Sequence, residues 1–145
     1  MESTGTAVAV TGAKGGVGKT TTSINLCATF AAAGIETVLV EFDLAMANIV
    51  DFLTFGPSDD PDPTMHEVLA GETPVQAATY AVRADFDVVP SGTSLDGYAK
   101  TDIDEATDVL AQLREAYDAV VLDTGAGLNA ATVTPMRLAD GVVIV

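Results

Sequence analysis

"TGAKGGVGKTTT", residues 11–22, decides how the chain is read. It holds Lys14 and Lys19, two of only three lysines, in a chain with six Lys plus Arg and a formal net charge of −15. Just before it, "TAVAV" (6–10) is small and β-branched, a strand pattern. Just after it, residues 20–33, "TTTSINLCATFAAA", read as a helix with Gly34 as its stop. A strand, a glycine-rich turn and a helix starting at Lys19-Thr20 form a phosphate cradle. Glycine tolerates the dihedrals that turn successive backbone N–H groups inward, and the helix N-terminus adds positive potential. Gly15, Gly16, Val17, Gly18 and Lys19 are therefore candidate phosphate-binding residues through their backbone. The Lys19 ammonium can reach β- and γ-phosphates, the Thr20 hydroxyl can sit on Mg²⁺, and Thr21 can add an α-phosphate contact. The pattern G-x-x-x-x-G-K-[ST] is missed by one residue, because Ala13 stands five before Gly18. A chance glycine turn does not explain why Gly15, Gly16, Gly18, Lys19 and Thr20 fall in register between a strand and a helix.

Downstream, strand and helix patterns alternate. "TVLVEFD" (37–43) is a nearly continuous apolar strand. "TMHEVLAG" (64–71) opens with a Thr64/Glu67 capping box and stops at Gly71. "TPVQAATY" (73–80) places Thr73 as N-cap and Pro74 at the first helical position. "FDVVP" (86–90) is a short strand, and Asp102 to Ala116 a helix with Ile103, Ala106, Val109, Leu110 and Leu113 at helical spacing. "AVVLD" (119–123) and "GVVIV" (141–145) read as buried strands, with a helix over 130–138 that Pro135 weakens. Apolar strands without alternation imply a parallel sheet covered on both faces, so the expected fold is a doubly wound, mostly parallel α/β sheet. "GPSDDPDP" (56–63) is a loop within it, and residues 1–145 read as one domain. Ending on an apolar strand with no polar tail, the chain reads as the N-terminal portion of a longer fold.

Composition narrows the function classes. A hydrophobic share of 48% and a mean hydropathy of +0.35 argue for an ordered globule in spite of the charge. The acids are scattered, among them Asp59, Asp60, Asp62, Asp85, Asp87, Asp102, Asp104 and Asp108. That distribution favours a solvated acidic shell of the halophilic kind over a docking patch for a basic partner. No basic stripe exists to displace counterions, so this segment is not expected to bind nucleic acid directly. The lone Cys27 excludes an internal disulfide and a two-cysteine metal site, and reads as a small core residue. No basic, apolar leader opens the chain and no stretch approaches the roughly 18 apolar residues of a membrane span, so a soluble, cytoplasmic protein is expected. His66, the only histidine, reads as a surface residue, and Ser91-Gly92 as a plain turn.

Acids at the ends of apolar strands should face the cradle. Two qualify: Asp43 after "VLVEF" and Asp123 after "AVVL". Asp123 is the candidate holder of Mg²⁺, through a water; Asp43 is a candidate metal residue too, and the candidate for orienting or polarising an attacking water.

"KGGVGKTT" resembles the deviant P-loop of the MinD/ParA ATPases, which carries an extra lysine at its start. "VLVEFDLAMANI" resembles that family's first switch, on the MinD side, and "YDAVVLDTGAGL" its second. "MHEVLAGE" and "VVPSGTSL" are similar to connecting segments of archaeal MinD-like proteins. Three positions depart from the family pattern: Glu41 stands where Asp is usual, Ala13 where Gly is frequent, and Gly125 where Pro is usual. The Gly125 departure should loosen the second switch. The resemblance implies a P-loop ATPase that binds ATP with Mg²⁺, dimerises with ATP, hydrolyses it, and positions cellular cargo or division components. It implies that Lys14 crosses the homodimer interface to the partner's phosphates while Lys19 serves its own nucleotide. Asn48, matched to the switch asparagine, would face the nucleotide or the interface. It further implies a protein partner that stimulates hydrolysis, and membrane contact only through a C-terminal tail not found in this sequence. Two alternatives stay open: a metabolic ATP-dependent ligase or synthetase of the same fold, and a nucleotide-binding scaffold without turnover.

Overall fold

The structure, a computed structural model, describes residues 4–12, 18–53, 55, 60–82, 85–125, 127 and 129–145. The apolar runs become strands β1 (Thr6–Thr11), β2 (Thr37–Phe42), β4 (Asp87–Val89), β5 (Ala119–Thr124) and β6 (Gly141–Ile144), with a short β3 (Tyr80–Ala81) between β2 and β4. They form one six-stranded sheet in the order β3-β4-β2-β5-β1-β6. All neighbouring strands pair in parallel except β3, which runs antiparallel to β4. Every residue of β2 and β5 is buried, as expected of central strands whose sequences show no polar alternation.

Helices α1 (Lys19–Ala32), α2 (Met65–Leu69), α3 (Leu95–Ala99), α4 (Ala106–Ala116) and α5 (Ala130–Leu138) complete the fold. Side chains alternate across the sheet, so two cores form. Ala7, Ala9, Val38, Val40, Val120 and Leu122 pack toward α2 and α4 on one face, with Met136 of α5 against them. Val10, Leu39, Val88 and Val121 pack with Cys27 of α1 and with Ile49 on the other. Each Val, Leu, Ile or Met side chain so buried contributes roughly 1.5–3 kcal/mol. Cys27 is fully buried, as its helical position implied, and burial raises its thiol pKa. No helix among the described residues is long and apolar enough to cross a membrane.

The helix boundaries follow local chemistry. Thr64 and Glu67 make the expected capping box on α2. Gly34, at φ 81°, takes the left-handed turn that ends α1. Elsewhere the structure corrects the sequence reading. Thr73 and Pro74 do not open a regular helix: Pro74 is extended and precedes a 3₁₀ turn over Val75–Ala78, because the chain must leave at once to pair β3 with β4. The first turn of the helix expected from Asp102 is likewise 3₁₀ (Ile103–Glu105). Among the described strands β6 pairs with β1 alone, and Ile144 is 79% exposed, so the burial expected of this strand is not met within residues 4–145.

Candidate functional site

The start of α1 and the C-terminal ends of β2 and β5 converge on one cleft of about 710 Å³. A parallel sheet makes this geometry inevitable: strands of one direction end on one edge, and the crossover helix after β1 starts there. Gly18 takes φ 91° as the residue before α1, in open space where the chain turns into the helix. Lys19, Thr20 and Thr21 then form the cleft wall from the helix side. Lys14, Gly15, Gly16 and Val17 lie outside the described residues.

Asp123 is the fixed point of the site. Strand register places it beside Val10 of β1 on one side and Glu41 of β2 on the other. It faces α1, where Thr20 Oγ1 donates to its Oδ2 at 2.9 Å. The Ser23 hydroxyl lies 3.0 Å from Oδ1 and 2.9 Å from the Lys19 carbonyl, sharing one proton between them. Burial raises the Asp123 carboxyl above its usual range, the Thr20 and Ser23 bonds oppose this, Asp43 adds to the rise, and Lys19 pulls it back. Ser23 is a site residue that the sequence reading missed; its signal was its place one helical turn after Lys19.

Asp43 sits one step beyond the end of β2 and lines the same cleft, half-buried. Its Oδ1 accepts one backbone bond, from Met46 N at 3.2 Å. Burial raises its pKa, opposed by that bond and by Lys19. Gly125 passes close to it: a Cβ at position 125 would lie 2.9 Å from Asp43 Oδ1. The missing side chain therefore leaves room for the Asp43 carboxylate between the two strand ends. Asn48 lines the cleft as well.

Two further residues hold the Asp43 loop. Glu41, read from sequence only as a departure, is fully buried on the α1 face. Its Oε2 accepts Asn48 N at 2.8 Å and Ile49 N at 2.9 Å, and its Oε1 accepts Ser91 N at 2.8 Å. Burial lifts its pKa to about 7 against the pull of these three bonds, with a smaller upward push from Asp123. Ser91 therefore does more than make a plain turn: it ties the end of β4 to Glu41. The expectation that His66 is a surface residue is also overturned. It is 2% exposed, because α2 turns it inward onto the loop after β2.

The oxygen donors fit a magnesium ion. Mg²⁺ takes few protein ligands and fills its octahedron with water and phosphate. The Thr20 hydroxyl beside the Asp123 carboxylate offers such a sparse, hard-oxygen set.

This fold and this cleft define a P-loop nucleotide-binding protein of the doubly wound class. A family model described as "AAA domain" matches residues 5–145, and the chain belongs to the MinD/ParA family of P-loop ATPases. It is 36% identical to an uncharacterised ATP-binding protein of Methanocaldococcus jannaschii, over 95% of this chain and 51% of that one. It is 33% identical to the chromosome partitioning protein ParA of Caulobacter vibrioides, over 94% of this chain and 54% of the other. The septum site-determining protein MinD of Pyrococcus horikoshii, solved with Mg-ADP, superposes with a TM-score of 0.85 at 28% identity, over 97% of this chain and 57% of that one. The chain thus spans about half the length of the curated relatives it matches.

Proposed function

We propose that the protein is an ATP-driven switch: it binds Mg-ATP in this cleft, dimerises, hydrolyses the nucleotide, and so positions division components or other cargo. The observation that carries the reading is the convergence of Lys19, Thr20 and Asp43 on one cleft, with Asp123 buried behind Thr20 and bonded to its hydroxyl. Residues 1–145 act as one P-loop domain in the cytoplasm. A protein partner stimulates turnover; this segment contacts neither nucleic acid nor membrane. The relatives' ATP and Mg-ADP support the choice of nucleotide and ion.

Each residue has a physical task. Lys19 supplies positive charge for the phosphates, with the α1 N-terminus behind it. Thr20 and Asp123 hold Mg²⁺, the carboxylate through water. When bound, the ion neutralises phosphate charge. Asp43 accepts a hydrogen bond from the attacking water and orients it; its raised pKa is the result expected of a carboxylate in a partly dry site. Asn48 contacts the nucleotide or faces the second copy. Lys14 reaches across the dimer to the partner's phosphates, as an arginine finger does.

Mixing two variants tests the dimer. Lys14→Ala and Asp43→Ala should each bind Mg-ATP and release almost no phosphate. In a mixed dimer one site keeps both its own Asp43 and the partner's Lys14, so phosphate release should partly return. No recovery, with mixed dimers seen by sedimentation, would rule out action in trans. A ligated metabolite in place of free phosphate would point to the synthetase alternative.

A further inference from the structure

The loop from Asp43 to Ile49 carries the carboxylate on which the ATPase reading depends, and among the described residues Asp43 accepts one hydrogen bond, from Met46 N at 3.2 Å. What fixes the loop is buried beneath it. At its far end, Glu41 accepts the Asn48 and Ile49 N–H groups. At its near end, Leu44 follows Asp43 directly, and His66 Nε2 lies 2.8 Å from the Leu44 carbonyl oxygen. A carbonyl oxygen only accepts, so Nε2 carries the proton and donates it. This bond is buried and joins residues 22 apart in the chain.

The surroundings of the ring are built to keep it there. His66 is the second residue of α2, whose start is locked by the Thr64/Glu67 capping box and by Met65 N donating to the Pro90 carbonyl at 2.8 Å. Two glycines flank the other edge of the imidazole. A Cβ on Gly92 would stand 2.6 Å from Nδ1, and one on Gly97 2.7 Å from it. Neither contact is one a rigid ring can accept, so the lack of a side chain at both positions leaves room for the Nδ1 edge. Tyr98 lies beside the ring at a centroid distance of 6.3 Å, and it also lines the cleft.

We infer that His66 is a positioning residue: its Nε2–H grips the Leu44 carbonyl and so sets where the Asp43 carboxylate stands in the cleft. His66 does not line the cleft; it works through the Leu44–Ala45 peptide, one residue on from Asp43. Gly92 and Gly97 leave the Nδ1 edge of the ring unobstructed, and the Nε2–H bond to the Leu44 carbonyl sets the direction of the donor. The inference rests on the ATPase reading for its kinetic consequence, and on the geometry alone for its mechanical one.

The test has both arms. In His66→Leu the donor is gone. Backbone amides of residues 43–49 should exchange at least about 10-fold faster with deuterium, while those of β5 stay as slow as in the wild type. Turnover of Mg-ATP should fall about 10-fold with KM changed less than about 2-fold, the signature of a misplaced group. His66→Gln, whose amide N–H can reach the same carbonyl, should restore both to within about 3-fold of wild type. Gly97→Ala keeps the histidine and pushes the ring from its seat, so it should reproduce the His66→Leu pattern, and it serves if His66→Leu does not fold. Unchanged exchange over 43–49 in either variant overturns the inference. So does faster exchange with kcat unaltered, or a His66→Gln protein no better than His66→Leu. A wild-type protein that exchanges as described but never hydrolyses ATP overturns the ATPase reading and leaves the His66 clamp standing.

Discussion

Two neighbouring strands end at the cleft, and they end differently. β5 delivers Asp123 from within the sheet: its position is fixed by strand register on both sides and by two hydroxyls of α1. β2 delivers Asp43 one residue after the sheet hydrogen bonds stop, on a loop fastened from below by Glu41 and His66. One carboxylate is fixed by the sheet itself; the other is placed by a loop and its two buried anchors. A metal holder benefits from the first arrangement, since Mg²⁺ demands strict geometry. A group that must engage water only in the assembled state benefits from the second, since loops absorb the needed change.

The largest expected effect bears on both strand ends at once. Lys19 acts on both, its charge lowering the pKa of Asp43 and of Asp123. Lys19→Ala should weaken Mg-ATP binding by about 3 kcal/mol, or roughly 100-fold, by titration calorimetry. Unaltered affinity would break the comparison at its base, because the cleft would then not be a phosphate site.

A smaller effect separates the strands. Glu41 is the β2 counterpart of Asp123 in the register, and burial lifts its pKa from 4.5 to about 7. The folded state therefore holds that proton more tightly than the unfolded chain does. Stability from this group is complete below the unfolded value and falls as pH rises from about 4.5 to about 7. Urea unfolding of the wild type should show that fall, on the order of a few kcal/mol, and Glu41→Gln should flatten it. An identical slope in the variant would mean that the carboxylate is ionised throughout, held by its three backbone donors.

The asymmetry between the strand ends also explains what could be read from sequence. The β5 side was legible: an apolar run, a terminal aspartate, and a helix with hydroxyls at Thr20 and Ser23 are all local patterns, although Ser23 went unread. Asp43 was legible for the same reason. Its supports were not, because they come from far along the chain. His66 belongs to α2, and Ser91 follows β4; nothing in "TMHEVLAG" or "VVPSG" says that these residues meet the loop after β2. A lone histidine in a polar stretch looks solvated until two glycines are found to leave room for its ring. Glu41 differed from the family's usual aspartate by one methylene, and that length lets its two oxygens reach three backbone donors.

The division of labour between Asp123 and Asp43 is most directly tested by comparing Asp123→Asn with Asp43→Asn in parallel titrations of ATP with and without Mg²⁺, each followed by phosphate release. Asp43→Asn should keep the full magnesium-dependent gain in affinity and lose turnover by about 100-fold, the scale of a missing general base. Asp123→Asn should lose most of the magnesium-dependent gain. The reverse pattern, with the metal response lost at Asp43 and kept at Asp123, would contradict the assignment of the two strand ends.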